Sequence, residues 1–185
     1  MDNDALCYQR FLDGDESGFD ELIRRYHDHL IWFIYRYVKH FETAEDLAAD
    51  TFMELIVHKK RYHFKSSFKT YLFSIAKNKA VDHIRREKRI VFLPEETEAD
   101  PDIGTIEEVI LQNEEMKAVK NVLSSLHEEY ATFLHLFIFE GMSPDEIAII
   151  MKKTKKQIGN IAYRAKQALR QILEKEGIFF YEKPR

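Results

Sequence analysis

Two capping boxes, at Ser143 and Thr154, set the path of the chain between Met142 and Arg170. Ser143-Pro144-Asp145-Glu146 puts a hydroxyl at a helix N-cap, proline at the first helical position and a carboxylate three residues after the cap. Cap and glutamate then satisfy each other's backbone donors. Thr154 and Gln157 repeat the arrangement, and only Met151, Lys152 and Lys153 separate the first helix from the second cap. So short a connection predicts a sharp turn between two helices. Ile147, Ile150, Ile158, Ile161, Ala162, Ala165 and Leu169 recur at helical spacing and predict a buried seam, with small Ala148 permitting close approach. Thr154, Lys155, Lys156, Asn160, Tyr163, Arg164, Lys166 and Gln167 are left at the start of the second helix or on its outer face. This is the layout of a helix-turn-helix, whose second helix enters the major groove of duplex DNA. An ordinary helical hairpin with a solvated basic face is the competing reading.

A formal net charge of -4 sits poorly with a DNA-reading helix until the charge is followed along the chain. Residues 1–58 hold 5 Lys/Arg against 13 Asp/Glu, and residues 59–92 hold 11 against 2. Residues 93–115 hold no basic residue and 9 acids, and residues 116–185 hold 12 basic residues against 8 acids. Two basic blocks are therefore separated by an acidic one, and the modest total is a cancellation.

The apolar spacing predicts an all-α chain of two small helical domains joined by an acidic flexible linker. From Asp15 to Lys39, Phe19, Leu22, Ile23, Tyr26, Leu30, Phe33, Ile34 and Tyr37 mark one helix. Thr43 is the expected cap of the next, with Leu47, Phe52, Leu55 and Ile56 facing inward. Ser66 or Ser67 caps a third, in which Phe68, Leu72, Ile75 and Ala76 share a face. The first domain is expected over residues 1–92. Residues 93–113, with two prolines and no basic residue, read as the linker. The second domain is expected over 114–185.

The basic block at 59–92 interleaves cations with aromatic rings: Lys59, Arg61, Tyr62, Phe64, Lys65, Phe68, Tyr71, Phe73 and Lys77. Cations hold a phosphate backbone and release its counterions, while aromatic faces stack on bases that have left the duplex. That pairing suits melted or single-stranded DNA. Asn78 adds an amide able to read a base edge. The alternative is that Tyr62, Phe64 and Tyr71 belong to the bundle core, and for Phe68 the core reading is preferred.

Together these segments resemble the extracytoplasmic-function group (group 4) of bacterial RNA polymerase sigma factors, in the sigma-70 family. "GFDELIRRYHDHL" is similar to the first helix of the family's region-2 domain, and "TAEDLAADTFMEL" to its "AEDLxQExFxxL" core-binding helix. "FKSSFKTYLFSIAKNKAVDHIRREKR" resembles its "F…FxxWLxxIAxNxxxDxxRR" segment. "MSPDEIAIIMKKTKKQIGNIAYRAKQALR" resembles the region-4 "LSxxEIAxxLxxSxGTVxSxxxRAxxxL". The resemblance covers roughly residues 5 to 175.

It implies that Asp46, Leu47, Asp50 and Met53 bind the polymerase core. Residues Tyr62 to Ser67, including Phe64, Lys65 and Ser66, would form the loop that captures a flipped base of the melted non-template strand. Asn78 would lie beside that loop, and Asp82, Arg85 and Arg86 would fall at the minus-ten element. The second domain would read the duplex minus-thirty-five element, the linker would thread the polymerase, and a membrane-anchored anti-sigma protein would hold the factor in check. Independently, Asp46, Asp50 and Met53 share a helix face and are free to meet a partner.

The chain departs from the pattern at several places. Ala49-Asp50 stands for Gln-Glu, Tyr71 for Trp, His127 for Pro, Lys156-Gln157 for Gly-Thr, and Gly159 for a more often polar position. Gly159 removes a side chain from the reading face, which leaves Asn160 and Arg164 as the leading base-contact candidates.

No catalytic constellation, metal motif or cofactor loop is expected. The His residues are scattered, the lone Cys7 excludes an internal disulfide, and there is no glycine-rich phosphate loop. Without an amino-terminal apolar run after basic residues or a membrane-length apolar stretch, a cytoplasmic location is expected. A stand-alone helix-turn-helix regulator is the alternative function, although it leaves "AEDLAADTF" and the aromatic-basic block without a role.

Overall fold

The computed structural model describes residues 3–90 and 126–175. The expected linker at 93–113 therefore lies outside the described residues, as do parts of the expected second domain. All regular elements among the described residues are helical. The chain divides into two compact units, the first holding the helices of residues 3–90 and the second most of residues 126–175.

In the first unit α1 (Asn3–Leu12), α2 (Ser17–Val38), α3 (Phe41–Val57) and α4 (Phe68–Ile90) form a bundle, with a 3-10 turn at Lys59–Arg61. The long helix α2 packs against each of the other three. Leu22, Leu30, Phe33 and Ile34, spaced along one stripe of α2, are fully buried with Phe68, Leu72, Phe73 and Ala76 of α4. Burying side chains of this size contributes about 1.5–3 kcal/mol each, and it is this that holds the helices together. Phe33 and Phe73 meet edge-on at 5.1 Å, a favourable arrangement for two aromatic quadrupoles.

Helix α1 docks on α2 because Gly18 has no side chain. A Cβ there would stand 2.3 Å from the carbonyl oxygen of Cys7, so only glycine permits this approach. Asp4 of α1 pairs with Arg25 and accepts from the Tyr26 hydroxyl on α2.

Two expectations for α3 are corrected. Its cap is His40, whose Nδ1 accepts from the Thr43 backbone N–H at 3.3 Å, so Thr43 lies inside the first turn. Ile56 is 41% exposed. The buried stripe is centred on Ala44, Ala48, Thr51 and Leu55, which leaves Ile56 about a quarter turn outside it. The cap of α4 is Ser67, whose Oγ accepts from the Thr70 N–H at 3.2 Å.

In the second unit α5 (Glu128–Leu134) runs into a π-helical turn at His135–Phe139, followed by α6 (Pro144–Met151) and α7 (Lys155–Lys175). His127 caps α5, its Nδ1 accepting from the Glu129 N–H at 3.4 Å. The π-turn departs from the continuous helix that the spacing of "EEYATFLHLFIFEG" suggests. The Glu140 N–H reaches back to the His135 carbonyl at 3.3 Å, five residues rather than four. Helix α5 packs on α7, and Ile147, Ile150, Ile158 and Ala165 are buried as the seam requires.

Candidate nucleic-acid interface

Both capping boxes form. The Ser143 N–H donates to Glu146 Oε2 at 3.0 Å and the Glu146 N–H to Ser143 Oγ at 3.3 Å. The Thr154 N–H donates to Gln157 Oε1 at 2.9 Å, and the Gln157 N–H to Thr154 Oγ1 at 3.3 Å. Between them Lys152 adopts a left-handed conformation, φ 54°, while the Lys153 N–H bonds the Ala148 carbonyl at 3.0 Å. This six-to-one closure ends α6 and turns the chain within two residues. Lys155 bridges the turn to Asp145 at 2.8 Å, and Lys153 ties it to Glu129 of α5 at 2.7 Å.

Helix α7 turns Lys156, Asn160, Tyr163, Arg164 and Gln167 to the surface, with Tyr163 68% exposed. Lys166 lies with its ammonium 5.7 Å from the Phe137 ring, a cation–π contact that holds its stem against α5's extension. Gly159 is exposed, and a Cβ placed on it would meet nothing within 4 Å.

The loop between α3 and α4 is built around an aromatic stack. Tyr62 is 4% exposed, which corrects the expectation that it stacks on a base. Its ring lies nearly parallel to Tyr71 at 5.0 Å and meets Phe64 at 4.5 Å, Tyr8 at 5.4 Å and Phe68 at 5.8 Å. Its hydroxyl donates to the Ser66 carbonyl at 2.8 Å. Tyr62 is therefore the floor of the loop. Phe64 and Tyr71 are the half-exposed rings above that floor. Phe64 adopts φ 56°, an uncommon left-handed backbone for an aromatic residue, and the packing of its ring on Tyr62 accompanies it. Burial raises the Tyr71 phenol above the ordinary tyrosine value, aided by the nearby Glu54 charge.

From this loop a polar stripe runs along α4. Tyr71, Asn78, Asp82 and Arg85 recur at intervals that return to one helix face, over about 21 Å. Asn78, Asp82, Arg85 and Arg86 are exposed, and Lys77 is half-buried. Arg85 and Asp82 lie 3.5 Å apart as an exposed pair worth little in stability. Glu54 on α3 organises the flank, with Oε1 3.6 Å from Arg61 and Oε2 3.2 Å from Lys79. Lys59 turns toward α1, its ammonium 5.6 Å from the Phe11 ring.

The solvent face of α3, turned away from its buried stripe and adjoining Glu54, has different chemistry. Asp46 and Asp50 are exposed beside Met53, 53% exposed, and Val57, 66% exposed, while Leu47 is half-buried at the border. The exposed Ile56 and Val57 extend the apolar part beyond the residues expected from sequence. A face of two carboxylates and three apolar side chains suits a protein surface, since the acids would repel a phosphate backbone. Sequence reasoning also missed Tyr8 and Phe11 beneath the loop. Nothing in their local pattern points there.

Residues 22–90 match the family model Sigma-70 region 2. Over 184 residues the chain is 28% identical to the RNA polymerase sigma-H factor of Pseudomonas aeruginosa, covering 94% of this chain and 95% of that protein. It is 25% identical over 153 residues to the ECF RNA polymerase sigma factor SigM of Bacillus subtilis, covering 83% and 93% respectively. Among solved structures it resembles CnrH in complex with the cytosolic domain of CnrY, with TM-score 0.67, 20% identity and coverage of 94% and 98%. It also resembles the sigma factor RpoE bound to the anti-sigma factor NepR from Bartonella quintana, with TM-score 0.64, 22% identity and coverage of 84% and 96%. These structural likenesses establish a shared fold.

Proposed function

We propose that this chain, an extracytoplasmic-function sigma factor of the sigma-70 family, binds the core of bacterial RNA polymerase and directs it to promoters that its two units read together. The observation that carries this reading is that the first bundle presents two chemically distinct surfaces. The acidic and apolar face of α3, with Asp46, Leu47, Asp50 and Met53, is the polymerase side. The loop and the α4 stripe are the promoter side, with Phe64 and Tyr71 placed to stack on melted bases and Lys65, Lys77, Arg85 and Arg86 to hold phosphates. Lys59, Arg61, Ser66, Ser67, Asn78 and Asp82 complete that minus-ten surface, and Tyr62 supports it from below.

The second unit reads the minus-thirty-five element through Thr154, Lys155, Lys156, Asn160, Tyr163, Arg164 and Lys166. The chain itself carries out no catalysis, since nucleotidyl transfer belongs to the polymerase. Its finer assignments are membership of group 4, a cytoplasmic place of action, a response to envelope or extracellular stress, and control by a membrane-anchored anti-sigma protein. Control by an anti-sigma protein, though not its membrane anchoring, is supported by the anti-sigma partner named with one of the structures of shared fold.

Run-off transcription tests the reading directly. Purified chain and bacterial core polymerase are combined on a pool of genomic promoter fragments, with core alone as the control. Start sites that require the chain are the expected result, and they would yield its promoter sequence. Absence of transcripts, together with no co-purification of chain and core, would overturn the proposal and leave the stand-alone regulator.

A further inference from the structure

Helix α1 lies outside the residues 22–90 that match region 2, yet it supplies the support beneath the loop. Tyr8 is fully buried, and its hydroxyl stands 3.0 Å from the Lys59 carbonyl oxygen and 3.2 Å from that of Leu55. These oxygens belong to the last turn of α3 and to the 3-10 turn that follows, where a helix end leaves carbonyls without intrahelical donors. One phenolic proton thus serves the point at which α3 stops and the loop begins. The Tyr8 ring meets Tyr62 edge-on at 5.4 Å and Phe68 at 5.1 Å, so the same side chain braces the floor of the loop. One turn further along α1, the Phe11 ring lies 5.6 Å from the Lys59 ammonium. Lys59 is therefore gripped at both its carbonyl and its charge by a single helix.

Chain ends and loops of this composition move easily unless tied down. The loop carries a left-handed Phe64, a conformation that persists only where its surroundings hold it. We propose that Tyr8 is a positioning residue for strand capture: its hydroxyl sets where α3 ends, and so holds Phe64 and Tyr71 at the spacing that a flipped base requires. This rests on the promoter-side reading of the loop given above. It adds a role for a helix beyond the matched region.

The test is Tyr8→Phe, which removes the hydroxyl and keeps the ring. Holoenzyme made from core polymerase and the full-length chain is titrated with a fluorescent single-stranded oligonucleotide carrying the non-template minus-ten sequence found by run-off transcription. A second series of oligonucleotides carries an abasic site at each position in turn. Wild-type holoenzyme should show one position at which base removal costs most. In Y8F, affinity for the intact strand should fall about fivefold, the scale of one hydrogen bond. The abasic penalty at that position should shrink by a similar factor, while affinity for core stays within twofold.

An unchanged strand affinity and abasic penalty in Y8F, whatever happens to its melting temperature, would overturn the proposal. So would an equal loss on all oligonucleotides with the penalty intact, since that marks a general structural effect. Failure of wild-type holoenzyme to prefer the promoter strand over a scrambled one would instead overturn the reading of the loop, and this proposal with it. Should Y8F fail to fold, Phe11→Leu keeps an apolar side chain on α1 and loosens the grip on the Lys59 ammonium, together with the ring contacts to Phe19 and Tyr8. It should reduce strand affinity about twofold with the same loss of penalty, and no change there would count against the proposal.

Discussion

Tyr62 and Tyr71 lie with their rings 5.0 Å apart and 24° from parallel, one beneath the surface and the other half-exposed above it. The two side chains look alike in sequence and are placed differently, Tyr62 buried and Tyr71 half-exposed. Tyr71→Ala should weaken binding of the melted non-template strand about tenfold, with a smaller loss of stability, about 1 kcal/mol, from the lost stack on Tyr62. Tyr62→Ala should instead destabilise the first unit by about 3 kcal/mol, because it empties a buried aromatic site. Strand titration and urea unfolding of both variants separate the cases. A Tyr71 variant that binds the strand normally would remove this ring from the interface.

Gly18→Ala should destabilise the first unit by about 2 kcal/mol, because the new Cβ presses on the Cys7 backbone and α1 must lift away. Urea unfolding followed by circular dichroism measures this. A midpoint equal to wild type would mean that α1 is not held as closely as 2.3 Å implies.

Gly159→Ala should stabilise the second unit by about 1 kcal/mol, since the position is an exposed helix interior with open space around it. Calorimetry on the full chain reads the shift. No gain would show that the glycine serves the helix in some way its surroundings do not reveal.

Arg164→Ala should lower affinity for duplex carrying the distal promoter element by about tenfold and leave co-purification with core intact. A pull-down and a duplex titration are sufficient. Loss of core binding in this variant would assign its surface to the polymerase instead.

Cys7 is 3% exposed, and burial pushes its thiol up, reinforced by the hydrogen bond to Glu21 and by that carboxylate's charge. A folded-state value raised above the unfolded one means that the native chain keeps its proton longer. The thiol's contribution to stability is therefore complete below the unfolded value of about 8.5 and is lost as pH rises through the folded value. Alkylation by iodoacetamide at pH 8 should be slow for the native chain and fast in urea. Cys7→Ala should flatten the alkaline arm of the stability curve. Rapid native labelling would contradict the burial.

Legibility from sequence followed the range of the interactions involved. The turn between α6 and α7 was readable because each cap bonds a residue three positions away. The expectation of Thr43 as the cap failed for a local reason, since histidine Nδ1 can accept as a cap hydroxyl does and here takes the Thr43 N–H. Tyr62 was ambiguous because its burial depends on Tyr8, a residue far away in the chain. The π-turn at His135–Phe139 and the left-handed backbone of Phe64 leave no mark in spacing or composition. The acidic and apolar face of α3 was visible in part, and Val57 escaped because an apolar residue at a helix end reads by default as core.

The docking of α1 also bears on where the working unit of this protein begins. A shorter chain starting at residue 22 would contain every residue of the region-2 match and all the cations of the loop. It would lack Gly18, Tyr8 and Phe11, and with them the donor that meets the Lys59 carbonyl and the ring that faces its ammonium. Such a fragment would be whole as a pattern and incomplete as a device. The boundary of the region-2 match and the boundary of the packed helical bundle fall at different places in this chain.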